Sequence, residues 1–180
     1  MEQNSVIEDI SQFLVELHSL PISSMPQEIQ ESLSDFLAGL ATVNKGQYDL
    51  TRHMPLQTME QQTQELAIIH GDFHPGNILI HEGRVSAVID FSFASVSNRH
   101  ADLGRFAGRS NPTLSKALIE SYHRKAQCPC NTQKIQDVVD IFKYVEYKYV
   151  QYMQSNHPEI KIPQSVLQAS AMVAAAIKAE

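Results

Sequence analysis

Cysteine is nearly absent. The 180 residues hold only Cys128 and Cys130, separated by Pro129, too few for the disulfide framework of a small secreted domain and suited to a reducing cytosol. His123 lies nearby in the sequence, but no second Cys or His pair follows at ligand spacing, so a zinc site is not expected. Positive charge is also in short supply: 14 Lys and Arg stand against 20 Asp and Glu, a formal net charge of -6. With no basic run to track a polyanion, nucleic acid is a poor candidate partner. Long apolar runs are missing too. No stretch approaches the roughly 18 residues of a membrane span, and Met1-Glu2-Gln3-Asn4-Ser5 has neither the basic nor the apolar region of a signal peptide. A cytoplasmic protein with no membrane partner is the expectation.

What the chain does have is apolar periodicity. Its 180 residues, 43% of them hydrophobic, suit a single domain over 1–180 with a sizeable core. Ile7, Ile10, Phe13, Leu14 and Leu17 recur at intervals of three and four and predict a helix from Val6 to Leu20, stopped by Pro21. Ile29, Leu33, Phe36, Leu37 and Leu40 predict a second from about Gln27 to Leu40. Ala41 to Gln64 is polar, glutamine-rich and broken by Gly46 and Pro55, with room for a loop and one short helix. Leu66 to Ile69 is a short apolar run that ends in His70-Gly71-Asp72. Ile78 to His81 and Val85 to Ile89 then read as two strands about a tight Glu82-Gly83 turn, an antiparallel hairpin. Helices return at Leu114 to Ala126, Gln133 to Ser155 and Gln164 to Ala179. The fold class is mostly α with a small β-hairpin, α+β, and the polar residues concentrate at the hairpin.

Two-residue turn geometry pairs His81 with Arg84, and counting back sets Asn77 opposite Val88 with Asp90 as its diagonal neighbour. Diagonal neighbours share a sheet face about 7 to 8 Å apart, near enough for an amide oxygen and a carboxylate to reach one small cation. A three-residue turn would reverse the parity. Asp72 precedes Asn77 by five residues, in a loop whose Pro75 and Gly76 can fold it back toward the hairpin. Three oxygen-bearing side chains then converge, the set that magnesium and a hydroxyl-orienting aspartate need for phosphoryl transfer. The plainer alternative is that Asp and Asn simply favour turns and strand ends.

His70-Gly71-Asp72-Phe73-His74-Pro75-Gly76-Asn77, followed by Val88-Ile89-Asp90-Phe91, resembles the H-G-D-x-x-x-x-N and I-D motifs of aminoglycoside phosphotransferases and their choline-kinase-like relatives. Ala101-Asp102-Leu103 is similar to the Asp-Leu-Ala stretch that follows in the family, and Leu17-His18-Ser19-Leu20-Pro21 resembles the leucine-histidine helix that begins its large lobe. The likeness covers nearly the whole chain and is specific from His70 to Asp102. It implies the large C-terminal lobe of a protein-kinase-like fold. Asp72 becomes the base for the acceptor hydroxyl, and Asn77 and Asp90 hold Mg2+ on the phosphates of ATP or another nucleoside triphosphate. His74 stands where protein kinases carry a lysine near the transferred phosphate; otherwise it is an exposed loop histidine. His70 and Asp102 brace the loop by hydrogen bonds, with a helix N-terminal position the alternative for Asp102.

A kinase of this kind also needs a glycine-rich loop and a strand lysine, both from a small N-terminal lobe. Neither is found: before His70 the only glycines are Gly39 and Gly46, and the only Lys or Arg are Lys45 and Arg52. The N-terminal nucleotide lobe is therefore expected to be absent, with an apolar surface left for that lobe, another chain or self-association to cover. Two functional classes follow. One is ATP-dependent, Mg2+-assisted phosphoryl transfer to a small-molecule hydroxyl, incomplete without a small lobe. The other is a non-catalytic binding module built on a truncated large lobe. Phe142, Tyr144, Tyr147, Tyr149 and Tyr152 crowd one predicted helix, as core or as an aromatic wall for a macrolide, sugar or choline-like acceptor. After Ser155 only Glu159 and Glu180 are acidic, not the cluster a polycationic aminoglycoside needs.

Overall fold

A computed structural model describes residues 2–24, 66–127, 130–164, 167–168 and 171. The expected helix from Gln27 to Leu40 and the polar stretch from Ala41 to Gln64 lie outside the described residues, as does most of the helix expected from Gln164 to Ala179. No described helix is long and apolar enough to cross a membrane.

Helix α1 spans Glu2–Ser19 and buries the Ile7, Ile10 and Leu14 side of its stripe. It starts four residues before the apolar pattern does and ends ahead of Pro21, with a 3-10 turn at Ile22–Ser24. The stripe packs on helix α3, Pro112–Ala126. Pro112 needs no amide partner in the first turn of α3, and Asn111 caps it by accepting from the Leu114 N–H at 3.0 Å. Between α1 and α3, Ser11 and Ser121 are buried and satisfy one another at 2.7 Å. Helix α4, Thr132–Asn156, is capped in the same way by Asn131 and buries Ile135, Val138, Val139, Phe142 and Val150.

Helix α2, His100–Arg109, is an element that periodicity did not reveal, because two of its ten residues are glycines and its apolar stripe is short. One of those glycines explains its placement. A Cβ on Gly104 would lie 2.5 Å from both Cβ and Cγ1 of Val138, so only glycine lets α2 come this close to α4.

The strands form two small sheets where one hairpin was expected. Strands β2, Ile78–His81, and β3, Arg84–Val88, make the hairpin. Positive φ at both Glu82 (48°) and Gly83 (72°) gives it the turn whose twist matches the strands. The second sheet joins β1, Leu66–Ile69, to β4, Ser95–Asn98. Hairpin register needs a correction. His81 pairs with Arg84 and Ile80 with Val85, but Leu79 then pairs with Ala87 and Ile78 with Val88. Ser86 is an extra residue, a β-bulge whose hydroxyl donates to the Leu79 carbonyl at 3.1 Å. The slip of one places Asn77 opposite Ile89, whose N–H donates to the Asn77 carbonyl at 3.0 Å. One face of the hairpin is tied to α1 by the Arg84–Asp9 ion pair and by the Ser5 hydroxyl on the Gly83 carbonyl.

Candidate active site

Strand β1 is buried along its length beyond Leu66 and delivers His70-Gly71-Asp72 to the point where α1, α2 and the end of β3 meet. Asp102, in the first turn of α2, is the hub. Its carboxylate is fully buried and accepts from the His70 N–H through Oδ2 and the Gly71 N–H through Oδ1, each at 2.9 Å. Oδ2 also lies 3.1 Å from His18 Nε2. A carboxylate only accepts, so the His18 hydrogen sits on Nε2; Nδ1, 2.8 Å from the Tyr122 hydroxyl, is left to accept from it. A charge that would be costly to bury alone is met by three donors and the positive end of a helix. Bracing the loop and standing at a helix N-terminus are thus one arrangement.

His70 is fully buried beside that hub. Its Nδ1 accepts from the Asp72 N–H at 3.3 Å, which leaves the hydrogen on Nε2 to donate to the Ile89 carbonyl at 2.9 Å. One ring therefore links the loop to the end of β3. Gly71 turns the chain with φ of 82°, and a Cβ there would lie 2.0 Å from the Phe93 carbonyl oxygen. No side chain fits.

The two oxygens of Asp72 face different partners. Oδ1 receives Nε and Nη2 of Arg105, both at 2.7 Å. Oδ2 lies 3.4 Å from His74 Nε2 and 3.5 Å from Asn77 Nδ2, both long for a hydrogen bond. Asn77 Nδ2 is committed to the Asp72 carbonyl at 3.0 Å, which leaves its amide oxygen for another partner. His74 is half-buried and caps the 3-10 turn Pro75–Asn77, its Nδ1 accepting from the Gly76 N–H at 3.0 Å. Burial, more than offsetting the nearby Asp72 charge and reinforced by Arg105 and Arg109, holds the His74 ring below the usual histidine range. At neutral pH it is a hydrogen-bond donor without a full charge.

Asp90 closes β3 with φ of 64°, a left-handed backbone that aspartate tolerates better than most residues. It is exposed, and the hydroxyl and N–H of Ser92 hold its carboxyl below the usual range. With Asn77 opposite Ile89, the diagonal placement of Asn77 and Asp90 does not hold. Asn77 is instead paired with Ile89, and Asp90 is the next residue along the chain from that partner. The pair offers two hard oxygen donors, and no cluster of three or more His, Cys, Asp or Glu suited to a metal occurs among the described residues. Magnesium takes one or two protein oxygens and fills its octahedron with water and phosphates, so this donor set fits it.

Sequence reasoning missed Arg105 and its neighbours. Arg105 also donates through Nη1 to Glu146 of α4 at 2.9 Å and lies 4.5 Å over the Phe142 ring, while Arg109 reaches the same Glu146 oxygen. The only available signal was helical spacing, since Arg105 follows Asp102 by one turn. Four aromatic side chains of α4 have separate surroundings. Phe142 is buried under Arg105, Tyr147 bonds Gln151, Tyr152 meets His157 edge-on, and Tyr149 is exposed.

A mostly helical body that carries a loop-borne aspartate beside a two-stranded hairpin defines the large lobe of a kinase-like phosphotransferase. The model of the phosphotransferase enzyme family matches residues 2–131, and the chain belongs to that family. The aminoglycoside 3'-phosphotransferase of Streptomyces fradiae is 26% identical over 113 residues, 55% of this chain and 42% of that protein. Its Escherichia coli counterpart is 24% identical over 135 residues, 66% and 49% of the two chains. The chain thus spans about half the length of the curated relatives it matches. The aminoglycoside phosphotransferase APH(3'')-Id of Streptomyces rimosus, solved with ADP and streptomycin, aligns with a TM-score of 0.61 over 78% of this chain and 62% of that one. At 16% identity this likeness is one of fold.

Proposed function

We propose that this chain is the acceptor-side lobe of a small-molecule kinase, which moves the terminal phosphoryl group of ATP or another nucleoside triphosphate onto a hydroxyl of a small molecule. The observation that carries the reading is the asymmetry of Asp72. Its Oδ1 is saturated by Arg105, while Oδ2 has only long contacts and is the oxygen left for an acceptor hydroxyl. As the acceptor oxygen bonds to phosphorus, its proton passes to Oδ2 and the bridging P–O bond to the departing nucleoside diphosphate breaks. Asn77 and Asp90 would hold Mg2+, which supplies charge neutralisation at the phosphates. His74, its Nε2 3.4 Å from Oδ2 and its pKa lowered by burial, would stand beside the reacting oxygens as an uncharged donor.

On the nucleotide side, the described residues leave an apolar surface uncovered. Leu79, Ile80, Ile89, Phe91 and Phe93 are large, apolar and exposed around Asn77 and Asp90. That surface suits a nucleotide-holding lobe carrying the glycine-rich loop and lysine, supplied by the same protein or by a second chain. The acceptor is a neutral or weakly charged small molecule, since Glu146, which is linked to Asp72 through Arg105, is already shared by two arginines.

Isothermal titration of the purified chain with Mg-ATP, alone and with an added small lobe from a relative, tests the reading. Magnesium-dependent nucleotide binding that Asp90→Ala abolishes is expected, with phosphoryl transfer that disappears in folded Asp72→Asn. Absence of such binding under both conditions would sink it. Binding with transfer unaffected by Asp72→Asn would leave a nucleotide-binding module with no base at this position.

A further inference from the structure

We infer that Arg105 is the positioning residue of Asp72, and that Glu146 sets Arg105 from the far side of the site. The inference rests on Asp72 being the base. The backbone of Asp72 is fixed by His70, Gly71 and Asp102, but none of those groups touches its carboxylate. Arg105 does, with two donors on one oxygen at 2.7 Å, while among the described residues every other contact to the carboxylate is 3.4 Å or longer. A guanidinium is a planar fork, so it fixes direction as well as charge. It also distinguishes the two oxygens and leaves Oδ2 to the substrate.

Arg105 is itself held on three sides: by Asp72, by Glu146 through Nη1, and by the Phe142 ring beneath it. A tie between α2 and α4 does not explain this arrangement, because Arg109 already makes that tie to the same Glu146 oxygen from one turn further along. The reach of Arg105 to Asp72 is additional to helix packing. Glu146 is half-exposed, so α4 has a direct electrostatic line to Asp72 through Arg105.

The test reads the Asp72 side chain in the full-length chain, without requiring turnover. In protein labelled with 13C at aspartate, the Asp72 signals are assigned by their loss in Asp72→Asn, and their β-methylene couplings report χ1. The parent should show one rotamer. Arg105→Gln should show averaged couplings with the fold retained by circular dichroism, and Arg105→Lys, which restores charge but not the fork, only partial recovery. Glu146→Gln should loosen the rotamer to an intermediate degree. A fixed Asp72 rotamer in folded Arg105→Gln overturns the inference. Should that variant fail to fold, an unchanged rotamer in Glu146→Gln overturns it equally. Where a supplied small lobe gives turnover, Arg105→Gln should lower kcat about 10- to 100-fold with nucleotide KM unchanged, and an unchanged kcat overturns it. An inactive parent counts against the proposed function and leaves the rotamer result to decide this one.

Discussion

Replacing Asp102 by asparagine exchanges one carboxylate oxygen for an NH2 group at a side chain with 0% exposure. Three donors converge there: the N–H groups of His70 and Gly71, and Nε2 of His18. Asparagine offers one acceptor oxygen and one NH2. If the NH2 replaces Oδ1, it points at the Gly71 N–H. If it replaces Oδ2, it points at the His70 N–H, although His18 can exchange tautomers to receive it. Either way one backbone N–H of the loop loses its partner, at about 1–3 kcal/mol. The bonds that survive fall from charge-assisted to neutral strength, roughly another 1 kcal/mol each. The expected loss is about 3–5 kcal/mol, in the range for breaking a buried charged network. For a chain of this length that lowers Tm by roughly 6–20 °C, readable by circular dichroism or calorimetry. A variant melting within about 2 °C of the parent would refute the claim that this carboxylate holds the loop.

Gly104→Ala should destabilise by about 1–3 kcal/mol in a urea titration, although alanine is the better helix former, because its methyl meets Val138 at 2.5 Å; a second change of Val138→Ala should recover part of the loss. For His74, whose pKa is lowered in the fold, the unfolded chain binds more protons between the folded value and about 6.5, so stability rises with pH across that window. Its contribution is full above about 6.5 and is lost as pH falls through the folded value. Urea midpoints measured above and below that window should differ less in His74→Gln than in the parent, and an equal slope in both would remove His74 as a source.

Much of the fold was legible because its signals are local. The stripes of α1, α3 and α4 repeat along one helix each, and Glu82-Gly83 carries its turn in two residues. The His70 to Asn77 loop was legible for the same reason, all of its polar residues lying within eight positions. What escaped was set by tertiary contact. Strand β4 reads Ser-Val-Ser-Asn, with no apolar alternation, and is a strand only because β1 pairs with it. The bulge at Ser86 leaves no mark in a pattern that alternates on either side of it, yet it moves Asn77 by one register step. Glu146 is 74 positions from Asp72 and joins the site only through Arg105.

The Asp72 loop and the proposed nucleotide-side residues Asn77 and Asp90 also differ in what holds them. Among the described residues, Asp72 is oriented by buried His70 behind its N–H and by Arg105 of α2 at its carboxylate, while buried Asp102 takes the N–H groups of His70 and Gly71 and meets His18, whose ring also reaches the Tyr122 hydroxyl. Asn77 and Asp90 lie at a hairpin whose outer residues remain exposed and apolar. If Asp72 is the base proposed above, it is held in a way that needs no second lobe to keep its orientation, whereas the proposed nucleotide affinity would depend on whatever covers Leu79, Ile80 and Ile89. Adding a small lobe should therefore tighten nucleotide binding and leave the Asp72 rotamer unchanged. A rotamer that shifted when the lobe was added would mean that the two halves of the site are built together.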